Sequence, residues 1–280
     1  MIKKILSYLL VVVLVVGVWI VASCTCGMVA SGATKRDVVI TAHRGGAGYG
    51  LENSLSCISR SLEAGVQSIE IDVQLSKDGH VVVCHDGSVD RTTNGVGRIA
   101  QMTLEELGRL SLKDEEGNVY NESLPLLSQV LELMNGRAHL LLEIKRESDA
   151  PDNLEAAVVE ELARYDALSW TTVQSFSDTT LERIHSLLPE IRLEKLAYFK
   201  VLGLPLLFDG GFRHFSLERY SYIESFNFFY GGISRGFVDD MHKAGKRVRL
   251  WTINKPSRCP NLPIDGVITD YPDLMITHLR

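Results

Sequence analysis

The segment Ser68–Leu75, SIEIDVQL, alternates polar and apolar residues without a break. Because successive side chains of a strand point to opposite faces, its four apolar residues share one face, and Ser68, Glu70, Asp72 and Gln74 share the other. An exposed edge strand would show the same pattern. The surrounding chain, however, alternates strand and helix patterns, and in that context both faces of a strand are normally covered. The segment therefore predicts a covered strand with two carboxylates on its polar face.

Strand patterns recur on both sides of this segment, at residues 37–42, 139–145, 171–176, 191–199, 225–229, 247–253 and 266–269. Strands that alternate with helices, without hairpin signals between them, favour a parallel sheet with both faces covered. Residues 35–280 are also close in number to the roughly 250 residues of an eight-fold barrel. We therefore predict one α/β domain over residues 35–280, with the fold of a TIM-type (β/α)8 barrel.

Helix patterns lie at residues 54–64, 103–110, 126–134, 154–165, 178–188 and 237–244, with one more within 212–224. Thr103 and Glu106 have the spacing of a capping box, which supports a helix start at that point. A β-rich stretch at residues 80–85 interrupts the rhythm, so a small insertion is expected after the second strand. Residues 254–266 leave no room for a full helix and predict a shortened crossover.

An apolar segment, residues 1–34, precedes the barrel. Residues 5–22 are almost wholly apolar, and as a helix they would span about 27 Å, just under a hydrocarbon core of about 30 Å. The segment fits an N-terminal transmembrane helix, a lipoprotein signal cleaved before Cys24, or an ordinary secretory signal. Lys3 and Lys4 are expected to stay in the cytoplasm, so we predict a membrane-anchored protein whose barrel domain is extracytoplasmic.

Composition and charge restrict the classes of ligand that we expect the protein to bind. The net charge is −6 and no basic stripe is present, so we expect no nucleic-acid partner. The five cysteines show neither a CxxC pair nor the Cys/His spacing of a zinc site. Cys57, Cys84 and Cys259 are expected to be small buried residues, although export would allow one pair to oxidise.

Glu70 and Asp72 need a positively charged partner if their strand lies inside a barrel. Two carboxylates about 6 Å apart repel by roughly 3 kcal/mol at an effective dielectric constant near 20. A divalent cation relieves this repulsion, and hard oxygen ligands suit Mg²⁺ or Ca²⁺. Glu143, near the end of the strand that contains LLEIK, is a natural third ligand, and Lys145 falls on the same face.

Two histidines follow predicted strands directly and lie next to a charged residue. His43 follows VVITA and precedes Arg44, and His85 follows VVVC and precedes Asp86. Barrel enzymes carry their chemistry at such strand ends. Histidine titrates near neutrality, so a pair can share general-acid and general-base roles. The guanidinium of Arg44 suits phosphate oxygens.

Seven motifs follow one another over about residues 38–275: AHRGGAGYGLENS, SIEIDVQLSKDG, VVVCHD, RTTNGVGRI, LLEIK, WTIN and GVITDYPD. Together, and in this order, they resemble the motifs of the glycerophosphodiester phosphodiesterase family. The resemblance implies a β/α barrel that binds one divalent cation. It also implies hydrolysis of glycerophosphodiesters, small molecules, to glycerol 3-phosphate and an alcohol.

The resemblance also assigns the chemical groups. It places the family's metal ligands on Glu70, Asp72 and Glu143, and its acid–base histidines on His43 and His85. Which histidine is the acid and which the base stays open.

The remaining assignments concern the substrate and the support of the metal. Arg44 matches the phosphate-binding arginine, and Lys145 matches a basic residue near the phosphate. Glu52 and Asn53 match a pair beside the metal, either supporting its ligands or binding it weakly. Trp251 matches an aromatic residue of the substrate pocket, with a place in the core as the alternative.

Several points depart from the family or stay open. Leu51 and Ser54 replace the family's usual proline and threonine around the Glu-Asn pair. We expect Asp270 only to close the last strand. The apolar segment 200–212 fits packing under a loop, a substrate loop or a membrane-facing lid.

Two other functions compete with the first. A related barrel phosphodiesterase of the phospholipase type would act on intact or lysophospholipids with the same residues. A decayed barrel would serve as a tethered binding module, which is disfavoured because every chemically necessary position holds a competent residue.

Overall fold

The computed structural model describes residues 38–146, 153–201 and 203–279. Its strands, in chain order, are β1 (Val39–Ala42), β2 (Ser68–Leu75), β3 (Val81–Val83), β4 (His139–Ile144), β5 (Thr171–Ser175), β6 (Arg192–Ala197), β7 (Phe199–Lys200), β8 (Leu206–Phe208), β9 (Phe212–His214), β10 (Ser225–Phe229), β11 (Arg247–Trp251) and β12 (Gly266–Thr269). Its α-helices are α1 (Leu55–Glu63), α2 (Leu104–Leu107), α3 (Leu127–Met134), α4 (Leu154–Arg164), α5 (Asp178–Leu187), α6 (Arg235–Lys243) and α7 (Pro272–Leu279).

Eight parallel strands form a closed barrel in the order β1, β2, β4, β5, β6, β10, β11 and β12. Closure follows from β1, which pairs in parallel with β12 on one side and with β2 on the other. The predicted barrel is confirmed. All eight residues of β2 are buried, so both of its faces are covered as the sequence pattern indicated.

The outer surface of the barrel is packed against helices. Ile69, Ile71 and Val73 face this layer and belong to the main apolar core, together with residues of α3, α4 and α5. The polar face of β2 therefore points into the barrel, where its carboxylates meet the carboxyl end of β4.

The predicted insertion follows β2. Strand β3 pairs antiparallel with β2, and α2 begins with the predicted capping box of Thr103 and Glu106. Val82, Cys84, Val89, Ile99 and Leu107 form a second, smaller apolar cluster beneath this insertion. The expected short crossover after β11 is also confirmed, because it contains one 3₁₀ turn, Pro256–Arg258.

The helix predicted within residues 212–224 is wrong. Phe212–His214 is strand β9 of a small antiparallel sheet, and turns follow it. Gly210, with a φ of +111°, provides the backbone conformation of the hairpin between β8 and β9. Tyr220 and Ile223 are three residues apart, as residues on one face of a helix are. Both are buried against the core, but they belong to an irregular segment. In the segment 200–212, Leu207 is buried in β8.

Two further expectations concern the N-terminus and the cysteines. Residues 1–34 lie outside the described residues, and no helix within the described ranges combines the length and apolar character needed to cross a membrane. Cys57 and Cys84 are buried as predicted, whereas Cys259 is partly exposed, because it lies in the short crossover rather than under a helix. No disulfide joins these three cysteines.

Leu142→Ala should lower the free energy of unfolding by about 2–5 kcal/mol, because Leu142 is fully buried in β4 and its removal leaves a cavity. The matched control is Leu187→Ala at the end of α5, where the side chain is 50% exposed and the expected change is within about 0.5 kcal/mol. Urea unfolding measures both. Equal losses in the two variants would contradict this description of the core.

Candidate active site

Three acidic side chains meet inside the barrel near the carboxyl ends of two neighbouring strands. Glu70 and Asp72 come from β2 and Glu143 from β4, and Asp72 lies directly beside Glu143 in the strand register. One carboxylate oxygen from each lies within 4.8 Å of the other two, and all three residues are buried. The structure thus brings together the three acids that the sequence singled out.

The charges of these acids are only partly compensated by protein groups. Burial raises the pKa of Glu70 well above its ordinary value, and the charges of Asp72 and Glu143 raise it further. Burial also raises the pKa of Glu143 to about 7. Burial opposes ionisation of Asp72 as well, but the positive charges of Lys145, His85 and Arg44 outweigh it and lower the pKa of Asp72.

This donor set fits a divalent cation. Asp72 Oδ1 is buried and accepts no hydrogen bond, although Lys145 Nζ lies 3.1 Å away. A hard cation prefers carboxylate oxygens of this kind, and it would remove the mutual repulsion that burial makes costly. Glu70, Asp72 and Glu143 are the residues able to hold it.

Lys145 lies beside the acids, as expected from its position two residues after Glu143. Its Nζ is 2.6 Å from Glu143 Oε1 and 3.1 Å from Asp72 Oδ1. Burial would lower the pKa of Lys145, but the charges of Asp72 and Glu143 outweigh burial and raise it. The lysine is therefore a fixed positive charge at the edge of the acidic group.

The loop after β1 forms hydrogen bonds with two of the acids, one through a backbone N–H and the other through a side-chain amide. Asn53 Nδ2 donates to Asp72 Oδ2 at 2.9 Å, and Asp72 N donates back to Asn53 Oδ1 at 3.1 Å. Arg44 N donates to Glu70 Oε2 at 2.7 Å. Arg44 and Asn53 both have positive φ values, 49° and 57°, in a region that asparagine adopts readily but that is uncommon for arginine.

A chain of charged groups leads from Arg44 to the second histidine. Glu52 accepts from Arg44 Nη1 and binds Arg91 through two 2.7 Å hydrogen bonds. Arg91 Nε donates to Asp86 Oδ2 at 2.6 Å. Glu52 therefore contacts the arginines, whereas its neighbour Asn53 contacts the acid Asp72.

Both candidate histidines are held by a carboxylate. His43 Nδ1 lies 2.6 Å from Asp270 Oδ1, and His85 Nδ1 lies 2.7 Å from Asp86 Oδ1. Because a carboxylate only accepts, Nδ1 carries the proton in each pair, which leaves Nε2 for proton exchange with a substrate. Burial lowers the pKa of His85, and the charges of Lys145 and Arg44 add to this effect.

The expectation that Asp270 only closes the last strand is wrong. Asp270 follows β12 directly and binds both His43 and the amide of Asn254. Its position just past a strand end is the signal that identified His43 and His85, so the sequence could have revealed it. Arg91 lies in an irregular loop, and its contacts with Glu52 and Asp86 leave no periodic trace in the sequence.

Two clefts open at this end of the barrel. One, of about 760 Å³, is lined by Glu143, Lys145 and His85 together with the aromatic residues Phe176 and Tyr198. The other, of about 950 Å³, has the following residues among its lining: His43, Arg44, Glu52, Arg91, Asn254, Asp270 and Tyr271. The two candidate histidines therefore line different openings, His85 the first cleft and His43 the second.

Trp251, at the end of β11, lines neither cleft directly. Its indole N–H donates to Asn227 O at 2.8 Å, and its ring makes edge contacts with Phe176 and Tyr198. It therefore supports the aromatic wall of the first cleft.

Comparisons with known proteins point to one enzyme family. Residues 43–274 match the model of the glycerophosphoryl diester phosphodiesterase family. A glycerophosphodiester phosphodiesterase of Caldanaerobacter subterraneus is 32% identical over 247 residues, 86% of this chain and 98% of its own. One of Bacillus altitudinis is 31% identical over 243 residues, 84% of this chain and 95% of its own.

Solved structures show the same likeness. An Oleispira antarctica phosphodiesterase, in complex with the product sn-glycerol-3-phosphate, superposes with a TM-score of 0.75 and 28% identity. The match covers 85% of this chain and 95% of that one. A glycerophosphodiester phosphodiesterase of Thermotoga maritima gives a TM-score of 0.68 at 25% identity, covering 88% of this chain and 100% of that one.

Mg²⁺ or Ca²⁺ should raise the melting temperature of the protein, because a ligand at a hundred times its Kd adds about 2.7 kcal/mol of stability. Glu70→Gln and Asp72→Asn should lose this shift. The control, Glu182→Gln, alters an acid on the rim of the first cleft that is 55% exposed and should keep it. Differential scanning fluorimetry measures the shifts, and an unchanged shift in Glu70→Gln would refute the site.

Proposed function

The chain belongs to the glycerophosphoryl diester phosphodiesterase family, and on that premise we propose that it hydrolyses glycerophosphodiesters to glycerol 3-phosphate and an alcohol. It is then a phosphoric diester hydrolase. The observation that carries the proposal is the meeting of three buried acids with Lys145, next to two histidines that are each held by a carboxylate.

We assign one divalent cation, Mg²⁺ or Ca²⁺, to Glu70, Asp72 and Glu143. Their oxygen donors and unrelieved negative charge support the assignment. When bound, such a cation withdraws electron density from a phosphoryl oxygen and offsets the charge that grows there during the reaction. Asn53, with both ends of its amide on Asp72, keeps that ligand oriented.

The phosphate is held by fixed positive charges. Arg44 lines the second cleft and Lys145 the first. The two side chains lie near different oxygens of Asp72, with Arg44 Nε 3.8 Å from Oδ2 and Lys145 Nζ 3.1 Å from Oδ1. Their charges stabilise the phosphoryl oxygens as negative charge builds up. Trp251 shapes the substrate-binding wall through Phe176 and Tyr198, which its ring contacts.

His43 and His85 exchange the protons of the reaction. One histidine removes a proton from the nucleophile through Nε2, and the other donates a proton to the leaving alkoxide. The nucleophile is water, or it is the neighbouring hydroxyl of the glycerol group. In the second case the alcohol leaves as a cyclic phosphate forms, and water then opens the ring to give glycerol 3-phosphate. Asp270 and Asp86 fix the tautomer and stabilise the imidazolium that each ring forms in turn.

The full chain should hydrolyse glycerophosphocholine and related water-soluble diesters in the presence of Mg²⁺, Ca²⁺ or Mn²⁺, and a chelator should abolish the activity. His43→Ala and His85→Ala should each lower kcat by about 10²–10⁴-fold, because each removes a proton-transfer group. The control is His278→Ala, on the exposed face of α7, which should keep the parent rate. Release of glycerol 3-phosphate measures the reaction.

Three results would contradict the proposal. Turnover of either histidine variant within threefold of the parent would remove the assigned roles. Activity on lysophospholipid vesicles but not on soluble diesters would favour the phospholipase-type enzyme. No hydrolysis with any of the three cations would favour a binding module.

We further propose that residues 5–22 anchor the protein in a membrane, with the barrel outside the cytoplasm. The uncharged apolar run and the two lysines before it support this.

Val12→Asp combined with Val16→Asp should release the protein from sedimented membranes, because each buried acid costs about 2.5–3.5 kcal/mol. Ser31→Asp, outside the run, is the control. Equal sedimentation of both variants would reject the anchor, and a lipid-modified N-terminus at Cys24 in the mass spectrum would identify a lipoprotein instead.

A further inference from the structure

A chain of polar side chains crosses the barrel interior and ends on one of the three acids. It connects Arg249 of β11, Glu194 of β6, Asn227 of β10, Gln174 of β5 and Glu70 of β2. All five residues are at most 6% exposed. Burying polar side chains costs free energy unless each donor meets an acceptor. The direction in which the hydrogen bonds run along this chain therefore determines how each amide is oriented.

The direction is set at the end that lies farthest from the acids. Arg249 Nη2 lies 3.0 Å from Glu194 Oε1, and Asn227 Nδ2 donates to Glu194 Oε2 at 2.7 Å. Since a carboxylate only accepts, the amide of Asn227 must present its NH₂ group to Glu194. Ser225 Oγ donates to the other end of that amide, Asn227 Oδ1, at 3.2 Å.

The orientation of Asn227 fixes the orientation of Gln174. Asn227 Nδ2 also donates to Gln174 Oε1 at 2.8 Å, so Gln174 must turn its Nε2 toward Glu70 Oε1, 3.3 Å away. If the side-chain amide of Gln174 were reversed, its oxygen would face Glu70 Oε1, and two acceptors that face each other repel. The backbone N–H of Arg44 holds the second oxygen, Glu70 Oε2.

We propose that Asn227 is a positioning residue, which acts through Gln174 to hold the Glu70 carboxylate in the orientation that binds the divalent cation. The proposal rests on the metal site of the proposed function. Each Glu70 oxygen receives one donor from the protein and keeps a further lone pair for a cation. Groups that orient metal ligands in this way typically contribute 10–100-fold to metal affinity.

The test measures Mn²⁺ binding to the purified full chain by titration calorimetry. Gln174→Met removes the donor to Glu70, and Asn227→Leu removes the group that orients Gln174. Both should weaken Mn²⁺ binding about 10–100-fold. The matched control is Thr172→Val, which alters a buried residue two positions before Gln174 whose hydroxyl contacts His139 instead. It should bind Mn²⁺ as the parent does.

Two further readouts separate positioning from a general loss of structure. The double variant should bind Mn²⁺ no more weakly than Gln174→Met alone, because both changes act through the same hydrogen bond. Raising the Mn²⁺ concentration should restore turnover in both single variants. If Asn227→Leu does not fold, Asn227→Ser decides the question, because its short hydroxyl cannot reach both partners.

Parent-like Mn²⁺ affinity in Gln174→Met and Asn227→Leu, or in the serine variant, would overturn the proposal, and so would additive losses in the double variant. The parent reports separately on the proposed function. A parent that binds Mn²⁺ but cleaves no glycerophosphodiester would refute that function, while the comparison of affinities would still decide the role of Asn227.

Discussion

The mutual repulsion of three buried carboxylates is the constraint on which the site depends. Glu70, Asp72 and Glu143 lie within 4.8 Å of one another, in a place where burial alone raises the pKa of a carboxyl group. Lys145 and amide donors offset part of this repulsion, but they leave one oxygen of Asp72 without a hydrogen bond. The raised pKa values of Glu70 and Glu143 show how costly the ionised form of this group is, and a bound cation relieves that cost. The same arrangement that costs folding energy therefore creates affinity for a cation.

The barrel makes this arrangement possible through strand register. β2 and β4 are parallel neighbours, and their pairing places Asp72 beside Glu143. Glu70 is the preceding residue of β2 that points into the barrel. On the opposite face of β2, Ile69, Ile71 and Val73 are fully buried beneath helices. Each such side chain contributes roughly 1.5–3 kcal/mol on burial. The apolar outer layer thus offsets the cost of the polar interior, and one strand serves both purposes because its side chains alternate.

Much of this could be predicted from the sequence because it depends on local pattern. The alternation in β2 identified two acids on an inner face, and the ends of strands identified His43 and His85. What could not be predicted depends on contacts between distant segments. Asp270 reaches His43 because β12 closes the barrel against β1, and Arg91 joins Glu52 to Asp86 from an irregular loop. The helix expected within residues 212–224 failed for a related reason. Tyr220 and Ile223 have helical spacing, but they are buried against the core from a segment of turns, and the Tyr220 hydroxyl donates to Asp178 of α5.

The interior chain from Arg249 to Glu70 shows why a polar barrel core can be specific rather than merely tolerated. A chain of donors and acceptors that begins at a carboxylate has one consistent direction, because each donor must meet an acceptor. Here the ion pair of Arg249 and Glu194 sets that direction, and Asn227 passes it to Gln174. The orientation of a carboxylate near the mouth is thereby determined by a charge pair on the far side of the interior. Periodicity in the sequence places these residues inside the barrel, but only the closed structure shows that they form one connected line.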